Sequence, residues 1–375
     1  MRRVSFFASV ILGLGLVASC GSKTGLFGPE GTTAIADASL DANDGALDSA
    51  VPCKPGNFSF ELAAANLMFV IDRSGSMAFS LAGEMNVPAN QQRWRILRDA
   101  LQQTITPFDN QLAMGAKFYP EVTTGDDIQD PQLACRVDPT GGIVPRRGNV
   151  QSILDVFDDT EPRGGTATAE AVQRAADILG AQRTTVRTLI LATDGAPNCN
   201  GDLNGRTCVC ARATNDCSRN PERGKYSCLD DVRTINTIRD IAQGKRIPVY
   251  VIGIGGTERP EFLQVLDAMA VAGGRARTGT PKHYNVQSAT ELRDALTTIA
   301  GSIAQCTYLT PSAPTDPNAI AVSINGRPIS RDPTHTSGWD WIDKEAGILA
   351  FFGSACELAS TGTPAITGTV SCSTP

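Results

Sequence analysis

The sequence predicts an α/β fold, a Rossmann-like doubly wound and mostly parallel sheet, followed by a small all-β module. Three observations predict it. Near-continuous apolar runs at 65–71, 186–193 and 247–254 alternate with segments of helical periodicity, the signature of a buried parallel sheet covered by helices. The first two runs are each closed by an aspartate, Asp72 and Asp194, at the strand ends where open α/β sheets carry ligands. Beyond Cys306 the texture changes to prolines, short apolar runs and a turn signal.

The N-terminus reads as a targeting segment. Arg2 and Arg3 precede a mostly apolar stretch, 5–18, which ends in Val17-Ala18-Ser19-Cys20 and is short for a membrane span. Residues 1–19 are therefore expected to be a signal peptide. Small residues before a cysteine resemble a bacterial lipobox, which would make Cys20 a lipidated N-terminus; the alternative is ordinary cleavage near Ser19. Gly21 rather than an aspartate follows, which by resemblance to enterobacterial sorting favours an outer-membrane lipoprotein of the cell envelope. No later segment reaches about 18 continuous apolar residues, so acyl chains at Cys20 would be the only membrane anchor. Residues 20–52 hold Asp37, Asp41, Asp44 and Asp48 among Gly, Ala, Ser and Thr, with Phe27 the one aromatic, and are expected to be a flexible acidic linker.

Residues 53–306 carry the alternating pattern. The run Ala65–Ile71 is a strand, and Trp94, Leu97, Leu101 and Ile105 mark a helix. A strand follows at 112–119, then a helix over 167–179 with Ala171, Val172, Ala175 and Ile178 inside, and a strand at 186–193. Val232, Ile235, Ile238 and Ala242 place the next helix. A strand at 247–254, a helix at 260–272 and a short strand at 282–286 complete the alternation. Ser288 and Glu291 form a capping box that opens a last helix through Leu292, Leu296, Ile299 and Ile303 to Cys306. Residues 307–375 read as the small β module, with strands at 319–324, 339–342 and 348–352 and a turn at Asn325-Gly326. Cys356 and Cys372 are expected to close it. Trp339 and Trp341 share one strand face, either as core or as an exposed platform.

Composition narrows the function. The formal charge is −6, or −8 once Arg2 and Arg3 leave with the signal peptide, and there is no Lys/Arg-rich run, so nucleic-acid binding is not expected. Only His283 and His335 exist, neither beside a candidate nucleophile, and no phosphate-cradling loop is present, so the chain is not expected to be an enzyme. Apart from Cys20, ten cysteines remain, an even number that suits disulfides in an exported chain. Cys199, Cys208, Cys210, Cys217 and Cys228 crowd a polar insertion, 196–228, that has little apolar content. With Cys135 they make six, expected to form three disulfides; a zinc site at Cys208 and Cys210 is the alternative, against which stands the lack of paired C-x-x-C knuckles. The stapled insertion would either frame a binding surface or be structural decoration.

Asp72-Arg-Ser74-Gly-Ser76 follows the first strand, Gly164-Gly165-Thr166 precedes a helix, and Thr193-Asp194-Gly195 closes another buried strand. A lone D-x-S-x-S segment is weak, since Ser and Asp also cap helices. Three pieces in this order and context are not. The arrangement resembles the von Willebrand factor type A fold, and the resemblance spans Cys53 to Cys306. Carried over residue by residue, it implies a metal-ion-dependent adhesion site at Asp72, Ser74, Ser76, Thr166 and Asp194. Two carboxylates and three hydroxyls suit Mg²⁺ (or Mn²⁺/Ca²⁺), and by this resemblance one position is left for an Asp or Glu carboxylate of a partner protein. The polar insertion at 78–92, and Ala167 where relatives often place proline, depart from the family pattern without removing a ligand. The resemblance also places the domain termini together and so implies a Cys53–Cys306 disulfide, worth roughly 5 kcal/mol in the chain-entropy model. The expected function is a metal-dependent protein-binding or adhesion module of the envelope. The alternatives are a metal-independent structural envelope protein, or a hydrolase using bound metal to activate water.

Overall fold

The computed structural model describes residues 50–122, 129–180, 186–211, 217–255 and 260–372. The expected signal peptide 1–19, the expected lipidation site Cys20 and nearly all of the expected linker 20–52 lie outside the described residues.

In chain order the elements are β1 (Gly56–Ser59), β2 (Glu61–Leu62), β3 (Ala65–Asp72), α1 (Arg93–Ile105), β4 (Ala113–Tyr119), β5 (Ile143–Arg146), α2 (Val150–Asp159) and α3 (Thr168–Gly180). Then come β6 (Val186–Thr193), α4 (Pro221–Gly224), α5 (Asp231–Gly244), β7 (Val249–Ile254), α6 (Pro260–Ala272), β8 (Tyr284–Val286) and α7 (Ala289–Gln305). The chain ends with β9 (Thr307–Leu309), β10 (Ile320–Ile324), β11 (Arg327–Ile329), β12 (Gly338–Asp343), β13 (Ile348–Phe352), α8 (Ser354–Ser360) and β14 (Ile366–Val370).

The central sheet has six strands in the order β5-β4-β3-β6-β7-β8, parallel throughout except for β5 at one edge. Its middle strand explains the two-faced core. Along β3, Leu67, Phe69 and Ile71 point to one side, where they pack with Trp94, Leu97 and Leu101 of α1, Phe157 of α2 and Leu296 of α7. Met68 and Val70 point to the other, against Val172 and Leu179 of α3, Ile238 of α5 and Met269 of α6. Every residue of β3 is buried, and its sequence is accordingly a near-continuous apolar run, Asn66 and Asp72 excepted, rather than an alternating one. Helix α7 begins as its capping box requires. The Ser288 hydroxyl accepts from the Glu291 amide at 3.1 Å, and the Glu291 carboxylate accepts from the Gln287 amide at 2.6 Å. Helix α5 forms where expected, but Val232 is exposed and only Ile238 and Ile241 of its apolar residues are fully buried.

The remainder is a β-sandwich, and here three expectations are corrected. Its two antiparallel sheets run β1-β14-β10-β11 and β12-β13-β9-β2. The module is therefore not confined to 307–375: residues 56–59 and 61–62 supply a strand to each sheet, and the α/β part is inserted between β2 and β9. Besides these sheets it carries one short helix, α8, packed against β13. The disulfide pairing follows this topology. In place of Cys53–Cys306 and Cys356–Cys372, the bonds are Cys53–Cys372 and Cys306–Cys356. Gly56 pairs with Val370 across β1 and β14, so Cys53 just before β1 meets Cys372 just after β14. Cys306 at the end of α7 is left to anchor α8. Trp339 and Trp341 both turn inward, with ring centroids 5.6 Å apart, and each indole N–H donates to a backbone carbonyl, of Ile329 and Pro317 respectively. Asn325 and Gly326 take positive φ values of 51° and 77°, which makes the tight β10–β11 hairpin.

Candidate metal centre

The parallel register fixes where the candidate ligands fall. Asp72 is the last residue of β3, and Asp194 follows β6, its direct neighbour in the sheet. Both carboxylates therefore emerge at the same end of adjacent strands. The Asp72 side chain folds back over its own loop, accepting from the Ser74 amide at 2.8 Å through Oδ1, the geometry of an Asx turn. Its Oδ2 accepts from the Thr193 hydroxyl at 2.6 Å. That turn brings the Ser74 and Ser76 hydroxyls within 3.1 Å of each other, and the Ser76 hydroxyl donates to Asp194 Oδ1 at 2.9 Å. Four of the five residues singled out in the sequence thus form one continuous cluster of oxygens.

Thr166 belongs to the adjoining loop. The Gly75 amide donates to the Gly164 carbonyl at 3.1 Å, and the Arg163 amide to the Arg73 carbonyl at 2.8 Å, so the two loops are bonded along their backbones. The Thr166 amide donates to Asn198 Oδ1 while the Asn198 amide donates to the Thr166 carbonyl, which locks this turn to the loop after β6. Gly164 has φ +86°, a left-handed conformation that glycine adopts without strain. A Cβ on Gly165 would stand 2.6 Å from Cys199 Sγ and 3.2 Å from Cys135 Sγ. The Cys135–Cys199 disulfide therefore lies directly on this turn and links it to the Cys-rich insertion. The other two bonds are Cys208–Cys228 and Cys210–Cys217, so Cys135 and the five cysteines of the insertion form three disulfides, which leaves no thiolate among them to ligate zinc.

The electrostatics are unbalanced. Asp72 is fully buried, and burial first, then the neighbouring charge of Asp194, pushes its pKa up to about 7 against the lowering effect of the Thr193 and Ser74 hydrogen bonds. Beneath it, burial and then the charge of Asp72 raise the Tyr119 hydroxyl well above its ordinary value. Asp194 does have a cationic partner, which the sequence did not reveal. Arg93, the first residue of α1, is buried and places Nη1 2.6 Å from Asp194 Oδ2. Asn198 and Tyr119 are the other supporting residues that motif reading missed, and Thr193, though quoted in its motif, was given no part in holding Asp72. Thr193 and Asn198 sit within a few residues of Asp194, and that proximity was the available signal.

The donor set fits a hard divalent cation. It consists only of carboxylate and hydroxyl oxygens, and among the described residues no cationic side chain pairs with Asp72, whose positive partner a cation would supply. Asp72, Ser74, Ser76, Thr166 and Asp194 are the residues that would hold it. The histidines are elsewhere. His283 Nδ1 lies 2.7 Å from Asp267 behind β7, and His335 pairs with Asp340 in the sandwich while stacking on Phe352.

Residues 67–196 match the family model of the von Willebrand factor type A domain, a span that contains all five candidate ligands. The protein carries a von Willebrand factor type A domain. Among solved structures, its fold is similar to the PilB minor pilin from Streptococcus sanguinis, with 16% identity, a TM-score of 0.44, and coverage of 64% of this chain and 61% of that one. The chain thus spans less than two thirds of that pilin. It is also similar to the vWF domain of the type V pili tip protein Mfa5 from Porphyromonas gingivalis, with 12% identity, a TM-score of 0.41, and coverage of 65% and 97%. A third similar structure is the manganese-loaded TRAP protein of Plasmodium vivax, with 14% identity, a TM-score of 0.37, and coverage of 65% and 78%. No curated protein matches the chain by sequence.

Proposed function

We propose that this protein is a cation-dependent adhesion or protein-binding module of a bacterial cell envelope. Its von Willebrand factor type A domain would hold Mg²⁺, or Mn²⁺ or Ca²⁺, at Asp72, Ser74, Ser76, Thr166 and Asp194. The observation that carries this reading is the hydrogen-bonded oxygen cluster that joins Asp72, Ser74, Ser76 and Asp194 around a buried carboxylate short of positive charge. Three of the five donors are neutral hydroxyls, so a bound divalent cation would keep an appetite for one more anionic oxygen. An Asp or Glu side chain of a partner protein meets that need. The bound cation would supply electrostatic attraction for that carboxylate; the chain's own residues would position the cation and exclude competing side chains.

The pilus proteins among the similar structures are consistent with an extracellular, adhesive role. The sequence between residues 1 and 52 supports export and a lipid anchor at Cys20. Titration calorimetry with Mg²⁺, Mn²⁺ and Ca²⁺ against an Asp72→Ala control tests the cation site. Saturable binding lost in the variant is expected, and equal binding in both proteins would place the cation elsewhere. For the anchor, Cys20→Ser is expected to release the protein from the membrane fraction; retention there would remove the lipid-anchor reading.

A further inference from the structure

We infer that Arg93 is a built-in counter-charge of the cation site, holding Asp194 against the cation and setting a low intrinsic affinity. The inference rests on the cation reading above and deepens it. Arg93 sits where an arginine is electrostatically unfavourable. It is the first residue of α1, in the turn where the helix dipole disfavours positive charge, and it is only 4% exposed. Burying a guanidinium is costly unless its donors are used, yet its Nε has no hydrogen-bond partner among the described residues. What it gains is Asp194, at 2.6 Å from Nη1.

The surroundings are shaped to keep it there. Gly255 has φ +67°, and a Cβ at that position would stand 3.0 Å from Arg93 Nε and 3.2 Å from Nη2. Any larger residue at 255 would press on the guanidinium, so the glycine leaves it a slot at the end of β7. Nη1 also faces the Ser76 carbonyl at 3.5 Å, which ties the arginine to the D-x-S-x-S loop itself. With Ser76 on Oδ1 and Arg93 on Oδ2, both oxygens of Asp194 are already engaged by the chain. A cation entering the cluster therefore meets one carboxylate without a cationic partner, three hydroxyls and a fixed positive charge one residue away. Repulsion from Arg93 weakens cation binding, and a partner's carboxylate gains in importance as the group that completes neutralisation.

The test is titration calorimetry of Mg²⁺ and Mn²⁺ into the full-length protein and its Arg93→Met, Arg93→Gln and Arg93→Lys variants, with thermal melts in EDTA to establish folding. Loss of the charge in Arg93→Met and Arg93→Gln is expected to tighten cation binding at least tenfold, about 1.4 kcal/mol. Arg93→Lys keeps the charge and is expected to stay near the parent. Should Arg93→Met fail to fold, Arg93→Gln, which retains a donor for Asp194 Oδ2, carries the test alone. Unchanged or weaker binding in a folded, charge-free variant overturns the inference while leaving the cation site standing. Absence of binding in the parent and in every variant overturns both. Binding measurable only once Arg93 is removed supports the inference, the parent's affinity then lying below the range of the titration.

Discussion

The carboxyl of Asp72 is fully buried at the end of β3, and its pKa stands near 7 against an ordinary value of 3.8. In the unfolded chain this group ionises near the ordinary value, so below that pH both states hold the proton and no penalty exists. As pH rises toward 7 the unfolded chain releases the proton and the folded one keeps it, and stability falls; above 7 the penalty is constant. At about 1.4 kcal/mol per pKa unit the full penalty is on the order of 4 kcal/mol. Asp72→Asn removes the charge and keeps the shape. Its carbonyl oxygen can accept from the Ser74 amide, and its NH₂ can donate to the Thr193 hydroxyl, which now accepts. Allowing for imperfect replacement of these bonds, a gain of about 2 kcal/mol is expected at pH 8 in EDTA, or a Tm rise of about 4 °C. The gain should shrink steadily as pH falls toward 4. Adding Mg²⁺ should reverse the order, because a ligand that binds only the native parent stabilises only the parent. Thermal melts across pH 4–8, with EDTA and with Mg²⁺, read both effects. An Asp72→Asn variant no more stable than the parent at pH 8 in EDTA would refute the claim that this carboxylate is uncompensated.

Two further outcomes follow from the same structure. Replacing Cys135 and Cys199 together with serine should loosen the Gly165–Thr166 turn on which their disulfide lies and weaken cation binding several-fold, whereas replacing Cys210 and Cys217 should not; equal effects in calorimetry would show that the first bond has no special tie to the site. His283 is buried, and burial lowers its pKa despite the opposing Asp267 carboxylate, so the fold favours the neutral ring and stability is lost as pH falls below 6.5. His283→Asn, which keeps a donor toward Asp267, should lose less stability than the parent between pH 7 and 5.5 in urea titrations; parallel losses would remove His283 as a source of acid sensitivity.

Much of the α/β part was legible because its signals are local. Leu67 to Ile71 reads as a strand buried on both faces, and the aspartates that close such parallel strands share one end of the sheet. Ser288 and Glu291 announced α7 through reciprocal caps. The β-sandwich was less legible because its assembly depends on distant pairing. Gly56–Ser59 and Glu61–Leu62 are short and largely exposed, and nothing in these six residues says that their partners are β14 and β9. The disulfide pairing was misjudged for the same reason, since Cys53 follows β1 to β14 rather than the end of α7. Helix α2 went unread although Val150, Ile153, Leu154 and Phe157 repeat at helical spacing, because it follows a Pro- and Gly-rich stretch that reads as loop. Arg93 was hidden by its type: an arginine opening a helix is ordinarily taken as solvated, and only the fold brings it to Asp194.

The measurement that bears most directly on the cation site is anomalous diffraction from crystals of the protein grown with Mn²⁺. A single strong peak within ligand distance of the Ser74 and Ser76 hydroxyls, lost in Asp72→Asn crystals grown in the same way, is the predicted result. A protein saturated with Mn²⁺ in solution whose peak lies away from these hydroxyls, or persists in Asp72→Asn, would contradict it.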